Sequence, residues 1–171
     1  IAGDVDYVRL KLGAGYYYPL APPSWIASLT GEGGYIVGLG QDVKIQDRFF
    51  IGGDTLRGFR TAGIGPRDTV TQDSLGGNQY YVGSATLQFP LGLPQELGFT
   101  GRVFSDFGSL WGVDVSDPSG VSDSAAIRVS AGAGVSWRSP LGPIRVDLAM
   151  PVVKRDFDKT EVFRVSFGTR F

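Results

Sequence analysis

Cysteine and histidine are both absent from the 171 residues. Without cysteine there are no disulfides and no thiol chemistry, and without either residue the usual zinc ligand sets cannot be assembled. The lack of histidine also removes every Ser-His or Cys-His nucleophile, so a serine triad cannot be built. No metal, cofactor or catalytic residue is expected. No run approaches the roughly 18 apolar residues of a transmembrane helix. Neither sign of charge is in excess: the formal net charge is −1, which gives no electrostatic case for nucleic acid. The opening Ile1-Ala2-Gly3-Asp4 has neither the basic start nor the apolar core of a secretory signal. The expectation is therefore a piece of a longer protein. None of these absences argues for a soluble chain. A barrel strand crosses a bilayer with only about 9–11 alternating residues, which a hydropathy window misses.

Glycine is abundant at 26 residues, about twice the usual roughly 7%. That disfavours helices and suits strands that pack closely or turn sharply. Aromatics are plentiful too, with 11 Phe, 7 Tyr and 3 Trp. Period-two alternation carries the fold reading. Phe163, Val165, Phe167 and Phe171 share one face, with Arg164, Ser166, Gly168 and Arg170 on the other. Ile144, Val146, Leu148 and Met150 alternate with Arg145 and Asp147. Ile127, Val129, Ala131, Ala133, Val135 and Trp137 alternate with Arg128, Ser130, Gly132, Gly134, Ser136 and Arg138. Phe99, Val103 and Phe107 oppose Thr100, Arg102 and Asp106, and Tyr81, Leu87 and Phe89 oppose Ser84, Thr86 and Gln88. Val8, Leu10, Leu12, Ala14, Tyr16 and Tyr18 oppose Arg9, Lys11 and Gly13. Residues 25–39 alternate weakly, with Trp25, Leu29 and Tyr35 opposite Thr30 and Glu32.

The pattern predicts an all-β antiparallel meander of about seven strands. Short connections fall at Pro19–Ser24, Pro90–Glu96 and Ser139–Pro143. Longer ones fall at Gln41–Gln79 and Gly108–Ser124, with a modest one at Lys154–Thr160. Short turns at one end and long loops at the other is the habit of outer-membrane barrels, and Tyr16, Tyr18, Trp25, Phe89, Trp137 and Phe171 suit an interfacial girdle. A soluble β-sandwich also alternates. Mid-strand charges at Arg128, Arg145, Asp147 and Arg164, facing away from a nearly charge-free side, tilt the pattern toward the membrane barrel, although a sandwich can do both. The carboxylates Asp106, Asp147 and Glu32 are expected to pair with lumen arginines, for which Arg102, Arg128, Arg145 and Arg164 are available. Gly63-Ile64-Gly65-Pro66 is not a phosphate loop, because no Lys-Ser/Thr and no helix follow it.

One segment is more specific than any strand. Gly52-Gly53-Asp54-Thr55-Leu56-Arg57-Gly58-Phe59 is followed by Gly63-Ile64-Gly65-Pro66-Arg67-Asp68 and by Gly76-Gly77-Asn78. Taken alone, Gly52 to Phe59 is a glycine-rich surface loop with one solvated arginine. With Phe104-Ser105-Asp106-Phe107-Gly108, the run Ser139 to Asp147 and the closing Phe163 to Phe171, the whole segment resembles the outer-membrane assembly and translocation barrels, most closely their bacterial barrel-assembly branch. The resemblance covers residues 45–171.

That resemblance implies the C-terminal part of a sixteen-stranded transmembrane β-barrel over residues 1–171, with a lumen loop at about 41–79. It implies that the Leu56, Arg57, Gly58, Phe59 motif folds into the lumen, where Arg57 meets Asp106. Gln88, standing where many relatives carry a second acid, would be a neutral acceptor. Arg57 would then be the buried, paired arginine and Arg67 the more tolerant one. Phe163, Val165, Phe167, Gly168 and Phe171 would form a C-terminal β-signal. The implied function is folding and inserting β-barrel proteins into the bacterial outer membrane without nucleotide hydrolysis, by edge pairing at a seam between first and last strands. The implied partners are unfolded barrel clients, accessory lipoproteins and the lipid bilayer. The rivals are a sister autotransporter-assembly or two-partner secretion barrel and, in another class, a passive porin.

Overall fold

The computed structural model describes residues 7–21, 25–115, 118–140 and 142–168. Seven long strands form one sheet: β1 (Tyr7–Ala21), β2 (Trp25–Gly38), β5 (Gln79–Pro90), β6 (Phe99–Trp111), β8 (Arg128–Ser139), β9 (Gly142–Val153) and β11 (Phe163–Phe167). Four two-residue strands lie in the loops between them: β3 (Gly58–Phe59), β4 (Arg67–Asp68), β7 (Val121–Ser122) and β10 (Thr160–Glu161). The long strands pair antiparallel in chain order. Among the described residues, helix is confined to single 3-10 turns at Ile45–Asp47, Gln95–Leu97 and Pro118–Gly120. The expected meander is present, with shifted ends. β6 runs on to Trp111, because Gly108 and Ser109 continue the ladder against Val82 and Tyr81 although neither signals a strand by itself.

Register decides which face each residue shares, since partners directly opposite point the same way. Arg164 lies opposite Asp147, Asp147 opposite Gly134, Gly134 opposite Arg102 and Arg102 opposite Gln88. One residue along, Val165, Val146, Val135, Gly101 and Phe89 form the parallel row on the other face. The charges at 128, 145, 147 and 164 therefore face away from Val129, Val146 and Val165, as the alternation required. Aromatic contacts mark both ends of the apolar face. Trp25 packs on Phe89 and Phe99 stacks on Trp137, each at 5.6 Å, beside the short turns. Tyr81 meets Trp111 at 5.9 Å beside the long loops. Two such rows are what the two interfaces of a bilayer favour.

The buried core is not on the apolar face. It joins Ile36, Tyr80 and Leu110, all on the face with the charges, to Val43, Phe49, Ile51, Leu56, Phe59 and Ile64 of the long loop. Alternation by itself assigns apolar side chains to one outward face and does not anticipate this. The loop between β2 and β5 supplies most of the core because it lies over the loop-end of the inner face. Each such side chain contributes roughly 1.5–3 kcal/mol when buried.

The sheet is open, with β1 and β11 at its edges, and Leu148, Met150, Phe163 and Phe167 are exposed on its outer face. Unpaired edges and a bare apolar face drive association in water and are intolerable in lipid. The isolated 171-residue chain is accordingly expected to need detergent or to associate with further copies. Light scattering checks this, and a monodisperse detergent-free monomer with a cooperative melt contradicts it.

Candidate functional site

The loop between β2 and β5 closes on itself before it reaches the sheet. Phe49 and Gly77 exchange both backbone hydrogen bonds at 2.9 Å, and Ile51 bridges Ile64. At the tip, the Gly52 N–H donates to Thr55 Oγ1 at 3.0 Å and the Thr55 hydroxyl donates to Gly52 O at 2.8 Å. This turn sends Leu56 and Phe59 into the core, both fully buried, and leaves Arg57 pointing at the wall. β3 then pairs with β10, placing Gly58 opposite Glu161 and Phe59 opposite Thr160.

Arg57 meets Asp106 in a two-pronged pair. Its Nε donates to Oδ2 and its Nη2 to Oδ1, each at 2.7 Å, and its backbone N–H adds a third bond to Oδ2 at 3.1 Å. The planar guanidinium matches a carboxylate in this way and an ammonium cannot. Asp106 is almost fully buried, its side chain 2% exposed. The guanidinium also lies over the Phe104 ring, 3.4 Å from its centroid. Such stacking attracts a cation to the ring face. Phe104 belongs to the run quoted from the sequence but was given no role there, although a residue two places from Asp106 on one strand shares its face.

The second acceptor of Arg57 is Ser84, not Gln88. Arg57 Nη2 donates to Ser84 Oγ at 3.0 Å. The reason is register: Ser84 lies directly opposite Asp106, whereas Gln88 lies opposite Arg102. Four residues along a strand is about 14 Å, beyond the reach of one guanidinium. Gln88 lines the same inner cleft of about 690 Å³ without bonding the arginine.

Two further pairs stiffen the wall. Arg102 Nε and Nη2 donate to Asp147 Oδ1 and Oδ2 at 2.9 and 2.5 Å. These residues are two strands apart, and Gly134 occupies the row between them. A Cβ on Gly134 would sit 2.0 Å from Asp147 Oδ1, so the gap at this glycine is what lets the pair form. Arg128 and Asp158 are both fully buried at the side chain. Arg128 Nε donates to Asp158 Oδ2 at 3.1 Å, and its Nη1 donates to Ser124 O, Ala126 O and Ser109 Oγ. Asp106, Asp147 and Asp158 thus each have their carboxylate bonded to an arginine. Glu32 accepts instead from the Tyr80 hydroxyl.

Arg67, expected to be less buried than Arg57, is the more buried of the two. It is 4% exposed, less than Arg57, because residues 41–79 fold inward and carry it with them. Its Nη1 donates to Gln72 O at 2.8 Å and its Nη2 to Ala62 O at 2.7 Å, with no carboxylate in contact. Burial pulls its pKa below the ordinary guanidinium value. Arg48 behaves likewise: it donates to Val43 O, Leu75 O and Asp114 O, and burial lowers its pKa. No sequence signal marked Arg48.

In β11, Phe163, Val165 and Phe167 are exposed on the outer face, and Arg164 and Ser166 turn inward. Gly168 follows at φ +95°, its N–H donating to Pro143 O at 3.0 Å. Phe171 lies outside the described residues.

Comparison with known proteins agrees with this architecture. The chain is 43% identical over 169 residues to the outer membrane protein assembly factor BamA of Neorickettsia risticii, covering 98% of this chain and 22% of that protein. It is 29% identical over 154 residues to the BamA of Nitratidesulfovibrio vulgaris, covering 89% of this chain and 19% of that protein. The chain thus spans about a fifth of the length of these curated relatives. The crystal structure of BamA from Haemophilus ducreyi lacking POTRA domains 1–3 superposes with a TM-score of 0.83 at 26% identity, over 95% of this chain and 35% of that one. The seven-stranded meander therefore matches part of a BamA barrel. Residues 1–171 match the model of the Omp85 superfamily domain, and the chain belongs to that superfamily.

Proposed function

We propose that this chain is the C-terminal part of a transmembrane barrel that folds and inserts β-barrel proteins into the bacterial outer membrane. The observation that carries the reading is the arginine loop seated on the inner wall through Arg57 and Asp106, in a chain 43% identical to a protein named as an assembly factor. The outward apolar face between two aromatic rows is the lipid-facing surface, and the charged face is the lumen. Unfolded barrel chains are the clients and accessory lipoproteins the partners. Asp106, Asp147 and Asp158 are held in pairs with Arg57, Arg102 and Arg128, while Arg145 lines the inner cleft without a carboxylate partner among the described residues; the paired charges serve mechanical definition of the lumen rather than chemistry on a substrate. The motif Leu56, Arg57, Gly58, Phe59 acts as the loop's anchor. Phe163, Val165, Phe167, Gly168 and Phe171 present the terminal strand by which such a barrel is recognised.

The test is reconstitution of the complete protein in liposomes, with an unfolded outer-membrane barrel added as client. Assembly predicts faster acquisition of protease-resistant, folded client than in empty liposomes. A porin predicts ion conductance without acceleration of client folding, and that outcome would refute the proposal.

A further inference from the structure

We infer that Asp54, together with Gly53, is a positioning residue for the C-terminal strand: the two form a seat on the inner sheet face that holds β11 at the sheet edge. β11 is the shortest of the seven strands of the sheet. Among the described residues it has five residues, against 12 to 15 in the other long strands. Its inward side chains are Arg164 and Ser166, and Asp54 Oδ1 accepts from both. The Ser166 hydroxyl donates at 2.7 Å and Arg164 Nη1 at 3.5 Å. Arg164 Nη2 adds bonds to Thr61 Oγ1 at 3.2 Å and Glu161 Oε2 at 2.7 Å.

The backbone beneath is shaped for this contact. Gly53 has φ +65°, and a Cβ there would lie 2.8 Å from Arg164 Nη2 and 2.9 Å from Thr61 Oγ1. A side chain at this position would push Arg164 off the loop. The same loop that anchors on the wall three residues later through Arg57 thus also grips the edge strand.

Burial separates the two grips. The Arg57–Asp106 side chains are 13% and 2% exposed, whereas Arg164 and Asp54 are 20% and 39% exposed. Water and salt reach the second pair and weaken it. The loop therefore stays docked while its hold on β11 is reversible. The seat is a property of this fold alone. Its consequence, that release of β11 gates the pairing of client strands, rests on the proposed function.

Hydrogen exchange on the complete protein in lipid nanodiscs tests the seat. Asp54→Ala and Ser166→Ala are each expected to raise exchange of the 163–167 amides by about three- to tenfold. The double variant should exchange no faster than about twice the larger single, because both changes break one contact. Raising salt to about 1 M should move the wild type part of the way toward Asp54→Ala. Amides of residues 99–111 and 56–59 should not change, which separates the seat from general unfolding. Unchanged exchange at 163–167 in Asp54→Ala, or effects that multiply in the double variant, overturns the inference. Failure of the wild-type protein to accelerate client folding sinks the assembly reading instead and leaves the exchange result standing.

Discussion

Arg57→Ala is expected to abolish most of the assembly activity of the complete protein. The substitution removes two charge-assisted bonds at 2.7 Å, the bond to Ser84 and the stack on Phe104. It also leaves the Asp106 carboxyl, its side chain 2% exposed, without the guanidinium that bonds it. Breaking a buried pair from one side costs about 3–5 kcal/mol. The low end applies, because Arg57 is 13% exposed and its backbone N–H stays within reach of Asp106. About 3 kcal/mol is roughly a hundredfold loss of the docked loop. Arg57→Lys should be intermediate, since an ammonium makes one of the two prongs and cannot stack as a plane. Asp106→Asn should fall near Arg57→Ala. The control is Arg60→Ala, on an exposed residue of the same loop. Arg67 cannot serve, being itself buried. Outer-membrane protein levels in cells depending on each variant, with protease accessibility of residues 41–79, measure the effect. Equal tolerance of Arg57→Ala and Arg60→Ala would refute it.

Arg128→Ala is expected to give the largest loss of stability. Both partners of the Arg128–Asp158 pair are fully buried at the side chain, and Arg128 also satisfies the carbonyls of Ser124 and Ala126. Removing it takes the arginine from a buried carboxylate that keeps the Arg155 N–H, and leaves Ser124 O without its donor while Ala126 O keeps the Ser109 hydroxyl, at about 3–5 kcal/mol. The damage should spread to the arginine loop. Lys159 N–H donates to Gly63 O at 2.8 Å and Arg60 N–H to Lys159 O at 2.9 Å, so the segment carrying Asp158 is stitched to residues 58–63. Amide protection should fall at 124–128, 158–161 and 58–63, and the melting temperature should drop. Salt should not mimic the effect, because the pair is shielded from it. The double variant Arg128→Met, Asp158→Leu should recover most of the loss, since apolar residues of similar volume replace a buried pair at little cost. If single and double variants melt alike, the stranded charge is not the cause.

Strand identity and parity were legible in the sequence because each depends on a local period of two. Arg128, Asp147 and Arg164 could be placed on one face, and Val129, Val146 and Val165 on the other, from their own neighbours alone. The partnership of Arg57 with Asp106 came only from the family resemblance of the loop motif, with which the parity of Asp106 agrees; the residues by themselves read as a loop with a solvated arginine. The partner set was not legible. Choosing Ser84 over Gln88 requires the register of β5 against β6, which hairpin geometry sets and which no single strand reveals. The bonding of Arg102 to Asp147 across Gly134 depends on the registers of β6 with β8 and β8 with β9 together. The inner core was hidden for a related reason. Ile36, Tyr80 and Leu110 look like exceptions to a polar face until the loop that covers them is folded, and the loop has no period of its own. Arg67, Arg48 and Asp54 carry the same lesson. Their burial or contacts arise from chain segments up to 112 residues away, and only closure of the long loop onto the sheet brings those segments together. Composition and alternation by themselves determined an all-β sheet with one greasy and one charged face. Tertiary structure alone decided which charges meet, because pairing distances depend on register and loop closure, and neither is a local property of the chain.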